Sequence, residues 1–341
     1  MSIFDFFKAK KDNLSETASE CFERGLQCAY GTGVQQDYGE ALKWYIKAAA
    51  LGSVEAQTNI GIIYVNGQGV TQNYTEAARW FLEAAMQGEA VAQYELGRFY
   101  AEGLGVQQNA MEAFKWSRKA AAQGHVGAMN NLGVFYLRGV GVPVNVDEAV
   151  KLYQSSAKRG YAPAQYNLAM LYDSDVIGPM DAELTVKWLT LAAEQGLPRA
   201  LNELGKCYYL ERGVAKDTSR SFNLFLRAAE HGELEAMCYL GDFYGAGVGV
   251  AKDHSQSLAW YRKAANQGSS RAQCNLALKL RDGNGGQVNL VEANMWFRLA
   301  AELGEDHVAA IWGAELRKKM TPAQIDQSER LMTEYTREHE H

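Results

Sequence analysis

Glycine returns every 36 residues along this chain, at Gly52, Gly88, Gly124, Gly160, Gly196, Gly232, Gly268 and Gly304. A fixed period of that length marks a stack of small units, each unable to bury its apolar face alone. Before most of these glycines stands an alanine pair, such as Ala48-Ala49, Ala84-Ala85, Ala192-Ala193 or Ala264-Ala265. An alanine-rich stretch closed by glycine reads as a helix with a left-handed C-terminal cap, a conformation glycine adopts without strain. The small pairs let a neighbouring helix come close.

A second ladder starts those helices. Asp37, Asn73, Asn109, Asn145, Asp181, Asp217, Asp253 and Asn289 hold one phase, and three residues on stand Glu40, Glu76, Glu112, Glu148 and Glu292, with Gln256 as a variant. The pattern predicts a capping box, in which the short side chain and the later carboxylate each satisfy a free backbone N–H. Asp181 and Asp217 lack the reciprocal Glu and are expected to cap more weakly. A third phase holds Trp44, Trp80, Trp116, Trp188, Trp260 and Trp296, with Leu152 and Leu224 in the other two units. So regular a stripe is expected to be core rather than a cofactor box.

The rest of each unit is also helical. Ala56, Ile60, Gly61 and Tyr64 share one face, and the pattern recurs as Leu96-Gly97 with Tyr100, Leu132-Gly133 with Tyr136, Leu204-Gly205 with Tyr208 and Leu240-Gly241 with Tyr244. Ala169 and Ala277 replace the glycine in two units. Each unit is then helix A, a short turn, helix B and a glycine stop. The turns "GTGV", "GQGV", "GLGV" and "GVGV" lack the third glycine and the preceding strand of a nucleotide loop, and are read as tight bends. The expected fold is all-α, a solenoid of two-helix, 36-residue repeats. Eight repeats fill residues 15–304. Residues 1–14, with Ile3, Phe4, Phe6 and Phe7, form an N-terminal cap segment, and residues 305–341 a C-terminal capping helix pair whose last helix begins at Thr321 and Pro322.

Written A-x3-[LI]-G-x2-Y-x2-G-x-G-V-x2-[DN]-x3-A-x2-W-[YF]-x2-A-A-x2-G, the unit resembles the Sel-1-like repeat family, relatives of the tetratricopeptide repeats. The likeness covers almost the whole chain. It implies a right-handed α/α superhelix that acts as an adaptor, scaffold or regulator by holding other proteins. Many bacterial members carry a disulfide in each repeat, whereas Cys21, Cys28, Cys207, Cys238 and Cys274 form no such pattern here.

The chemistry of other classes is absent. Scattered cysteines suggest reduced thiols and a cytoplasmic location. The opening "MSIFDFFKAKKDN" has its lysines after its apolar patch, opposite to a signal peptide, and no apolar run reaches membrane-spanning length. A net charge of −6 without a long basic run argues against nucleic acid or anionic membrane as partner. The six histidines make no HExxH, no serine sits in GxSxG, and no third ligand accompanies a would-be zinc pair. No catalytic residue, cofactor or metal site is expected, and the chain reads as a non-enzymatic scaffold. A β-lactamase-like hydrolase lacks its nucleophile and base. A cytosolic immunity or inhibitor protein masking one toxic enzyme stays open as an alternative. One segment breaks the rhythm: "DSDVIGPMD", Asp173 to Asp181, loses the GxGV chemistry, and the next unit reads "LERGV". Relaxed packing, a bend or a partner contact each account for it.

By analogy with tetratricopeptide arrays, helix A lines a concave face. The candidate contacts there are Tyr94, Arg98, Asn130, Asn131, Tyr166, Asn167, Arg199, Asn202, Lys206, Tyr209, Arg271 and Asn275. Tyrosine beside arginine or lysine is the composition of binding hot spots. Asn59, Asn131, Asn167 and Asn275 share a phase, from which an amide can pair with an extended backbone. The expectation is a monomer that binds a protein or peptide, with an acidic or polar anchor near Arg199 and Lys206.

Overall fold

The computed structural model describes residues 16–303 and 306–339. Gly304 and the proposed cap at residues 1–14 lie outside the described residues. All regular structure among the described residues is helical. The chain divides into two compact units, one ending at Ala164 and the other starting at Gln165. The first contains α1 (Ala18–Tyr30), α2 (Tyr38–Ala50), α3 (Val54–Asn66), α4 (Tyr74–Met86), α5 (Ala90–Glu102), α6 (Ala110–Ala122), α7 (Val126–Arg138) and α8 (Val146–Lys158). The division falls inside α9 (Ala162–Tyr172). The second unit continues with α10 (Ala182–Glu194), α11 (Pro198–Leu210), α12 (Thr218–Glu230), α13 (Leu234–Ala246), α14 (His254–Ala265), α15 (Ser270–Asp282), α16 (Leu290–Leu303), α17 (His307–Arg317) and α18 (Pro322–His339). Odd-numbered helices are the A helices of the sequence pattern and even-numbered ones the B helices.

The start signals work, but only by half. Every Asp or Asn of the second ladder accepts backbone N–H groups of its helix's first turn, as Asn73 Oδ1 does from Thr75 and Glu76 at 3.1 Å each. Asp181 and Asp217 each accept one, at 2.9 and 2.8 Å, and so do Asn145 and Asn289, which have the Glu three residues on, so the missing Glu does not set the number of cap bonds. The reciprocal carboxylate makes no bond to the cap's backbone N–H; at the last cap Glu292 turns back only to the Asn289 side chain, accepting from its Nδ2 at 3.2 Å. Glu76 and Glu112 reach forward instead, to Arg79 and Lys115 at 3.0 Å. The reason is tertiary: the N–H of each cap residue already donates to a carbonyl of the preceding A helix, Asn73 to Tyr64 at 3.0 Å and Asn109 to Tyr100 at 2.9 Å. With that donor satisfied, the box has nothing to close. True capping boxes occur at Thr17–Glu20 and Thr321–Gln324.

The core takes in half of the tryptophan stripe and the residue that follows it. Trp80, Trp116 and Trp296 are buried, but Trp44, Trp188 and Trp260 are half-buried, with lysine ammonium groups over their rings. The fully buried anchor is the following residue: Tyr45, Phe81, Tyr153, Leu189, Phe225, Tyr261 and Phe297. Its ring lies against the small residue of helix A. A Cβ on Gly61 would stand 2.5 Å from the Phe81 ring, so glycine there is a socket for the neighbouring aromatic.

The GxG turn joins repeats as well as bending. Its first glycine caps helix A in the left-handed region, as Gly103 does at φ 73. The second rests on the start of the preceding B helix. A Cβ at Gly105 would lie 2.5 Å from the Thr75 nitrogen and overlap the Tyr74 carbonyl group. The irregular Asp173 loop departs from this plan, and its partner is the next irregular loop: Arg212 pairs with Asp173 at 3.0 Å. Glu211 beside it takes the left-handed conformation, φ 59, that glycine takes in the regular turns.

Candidate functional site

In each of the two compact units, several helix A side chains neither cap a helix nor fill the core. In the first, the Tyr94 ring of α5 stacks on His125 with ring centres 4.4 Å apart. Burial, reinforced by a hydrogen bond with Tyr161, pushes the Tyr94 hydroxyl up to about 12. Arg98 pairs with Glu95 at 3.0 Å one turn earlier on the same helix. Asn130 is buried, whereas Asn131 is half-buried.

In the second unit, Tyr166, Asn167, Tyr209 and Asn275 are half-buried, and Arg199 and Arg271 are exposed. Asn202 is 2% exposed and donates through Nδ2 to Glu235 at 2.7 Å. Lys206 sits between two carboxylates, Glu203 at 2.7 Å and Glu235 at 3.2 Å. Burial alone would pull the ammonium pKa down, but the bonded carboxylates outweigh it and hold it above the ordinary lysine value. Arg271 pairs with Asp242 at 2.8 Å and lies over the Tyr239 ring. Tyr209 packs on Phe243 with ring centres 5.0 Å apart.

The structure therefore brings together Tyr166, Arg199, Lys206 and Asn202. Tyr166 is raised by burial and by Glu203, against the opposing fields of Arg199 and Lys206. It also removes two candidates from service as contacts, because Asn130 and Asn202 are buried among their neighbours. The asparagine ladder has an internal use too. Asn59 bonds the Tyr45 hydroxyl, and the same tyrosine–asparagine spacing recurs in sequence as Tyr153/Asn167 and Tyr261/Asn275.

Glu235 and Asp242 were not singled out by their sequence, yet a signal for both exists. Lys206 and Glu235 stand 29 residues apart, as do Asp242 and Arg271. Both pairs join the residue that follows the small residue of one A helix to the residue six places before it on the next A helix. At that spacing before Arg199 stands Met170. An apolar residue in the slot leaves Arg199 without an ion pair among the described residues. Among those residues, too, no three His, Cys, Asp or Glu side chains cluster to hold a metal ion, and no helix is long and apolar enough to cross a membrane.

A family model described as Sel1 repeat matches residues 21–53, 54–89, 90–125, 126–161, 162–197, 198–233, 234–269 and 270–305. Among solved structures, a Sel1 repeat protein from Oxalobacter formigenes is 32% identical with a TM-score of 0.67, over 72% of this chain and 99% of that one. A protective antigen with an SLR fold from uropathogenic Escherichia coli strains is 28% identical, TM-score 0.40, over 94% of this chain and 84% of that one. An immunity protein from Pseudomonas aeruginosa is 22% identical, TM-score 0.41, over 64% of this chain and 83% of that one. The latter two superpose too loosely to bear on function. Comparison with curated protein sequences returned no match.

Proposed function

We propose that this chain, which belongs to the Sel1 repeat family, is a protein-interaction scaffold that catalyses no reaction and holds a protein or peptide segment against its A-helix face. The observation that carries the reading is Arg199, an exposed guanidinium whose slot partner is Met170, beside the half-buried Tyr166. A cation left without a counter-charge on a face rich in tyrosine fits a carboxylate brought by a partner. Lys206 does not share that role, because Glu203 and Glu235 already neutralise it. The anchor expected near Arg199 and Lys206 thus narrows to Arg199. In the same unit Asn167, Tyr209, Arg271 and Asn275 are contacts of lesser weight, and Tyr94, Arg98 and Asn131 are the candidate contacts of the first unit. The five cysteines are unpaired, which fits a monomer working in the reducing cytoplasm, with α17 and α18 closing the array.

The test is to recover the partner by pull-down with mass spectrometry and then measure its affinity for variants. Arg199→Ala and Tyr166→Ala should weaken binding, by about 1.5–3 kcal/mol if the contact is desolvated. Lys115→Ala and Lys151→Ala, exposed on B helices, should leave it unchanged. If the B-helix variants fail while the A-helix variants bind as wild type, the face is wrongly assigned.

A further inference from the structure

We propose that the junction of repeats three and four is a proton-operated latch, in which protonation of His125 uncaps α7 and loosens the support on which Tyr94 is stacked. Two other A helices, α3 and α15, are capped by Ser53 and Ser269, which accept from Ala56 and Ala272 and do not titrate. At α7 the cap is an imidazole: His125 Nδ1 accepts the N–H of Ala128 at 3.1 Å. That bond requires a neutral ring with its proton on Nε2. An imidazolium has no acceptor nitrogen, so the Ala128 N–H loses its partner and a positive charge arrives at the positive end of a helix dipole.

The surroundings oppose the charged form on balance. Tyr94 covers one face of the ring, and Gly127 is so close that an added Cβ would lie 3.1 Å from Tyr94 and 3.3 Å from the imidazole. Arg159, at the end of α8, adds a like charge, while Glu89 opposes it. The Glu89 carboxylate is committed elsewhere, as the cap of α5 and as acceptor from Thr58 at 3.2 Å. Tyr161, on the far side, is engaged with the Tyr94 hydroxyl. Burial, with Arg159, holds the imidazole below the ordinary histidine value. The cap's contribution is therefore complete above histidine's usual pKa, about 6.5, and is lost as pH falls through the lower folded value.

The experiment is hydrogen exchange on the full chain at pH 7.5 and 5.0, corrected for intrinsic exchange, with the imidazole titrated by NMR. In the wild type the first turn of α7 should open about fivefold more readily at the lower pH, the equivalent of losing one cap. The first turn of α3, capped by Ser53, should not change. His125→Asn, whose carboxamide caps without titrating, should keep α7 closed at both values. His125→Ala should leave it open at both. An identical pH response in wild type and His125→Asn overturns the proposal, as does an imidazole that titrates at or above the ordinary histidine value.

Discussion

Replacing the second glycine of a turn separates its two duties. Gly33 and Gly105 hold the same place in the first and third copies of the GxG turn, with φ values of 78 and 63. In Gly33→Ala the new methyl meets nothing within 4 Å among the described residues, so the cost expected from them is backbone strain alone, about 1 kcal/mol. In Gly105→Ala the same methyl would overlap the Tyr74 carbonyl and stand 2.5 Å from the Thr75 nitrogen. Those atoms belong to a hydrogen-bonded helix start and cannot swing away as a side-chain tip would. Relieving the overlap means parting the turn from α4, an overpacking cost of about 1–3 kcal/mol more. The expected totals are about 1 kcal/mol for Gly33→Ala and about 2–4 kcal/mol for Gly105→Ala. Urea denaturation gives the totals, and hydrogen exchange should locate the added loss in the first turn of α4. Equal costs for the two variants, with α4 undisturbed, would refute the claim that the turn glycine is a joint between repeats.

Other substitutions probe other links. Glu211→Gly should stabilise by up to about 1 kcal/mol, seen as a higher melting temperature, because it relieves a non-glycine residue at positive φ. Lys206→Met should cost about 1 kcal/mol, since Glu203 and Glu235 then face each other without their cation but stay partly solvated; adding Glu235→Gln should recover part of the loss in a double-mutant cycle. Tyr45→Phe should cost about 0.5–1.5 kcal/mol by denaturation, because Asn59 loses its hydroxyl partner, whereas Tyr38→Phe should cost less.

The repeat period, the helix starts and the glycine stops were legible in the sequence because they are local. An Asp or Asn cap, or a glycine at positive φ, acts within a few residues of itself, so its chemistry is written next to its effect. Gly124 at φ 86 and Asn109 over Met111 and Glu112 are where the ladders put them. Features that depend on the neighbouring repeat were not legible in the same way. The capping glutamates turn forward because the preceding helix's carbonyl has already taken the N–H they would accept. The residue after the tryptophan shares the core with it because the socket at Gly61 or Gly133 receives the Phe81 or Tyr153 ring. On the candidate face, residue type alone marked Arg98, Lys206 and Arg271 as open cations, and each turned out to be paired. Glu95 and Glu203 stand one turn before Arg98 and Lys206 on the same helix, a spacing the sequence records, whereas Glu235 and Asp242 reach Lys206 and Arg271 from a neighbouring repeat, which only packing decides. Arg199 was left over by the same rule, because the residue that stacking brings to its slot is methionine.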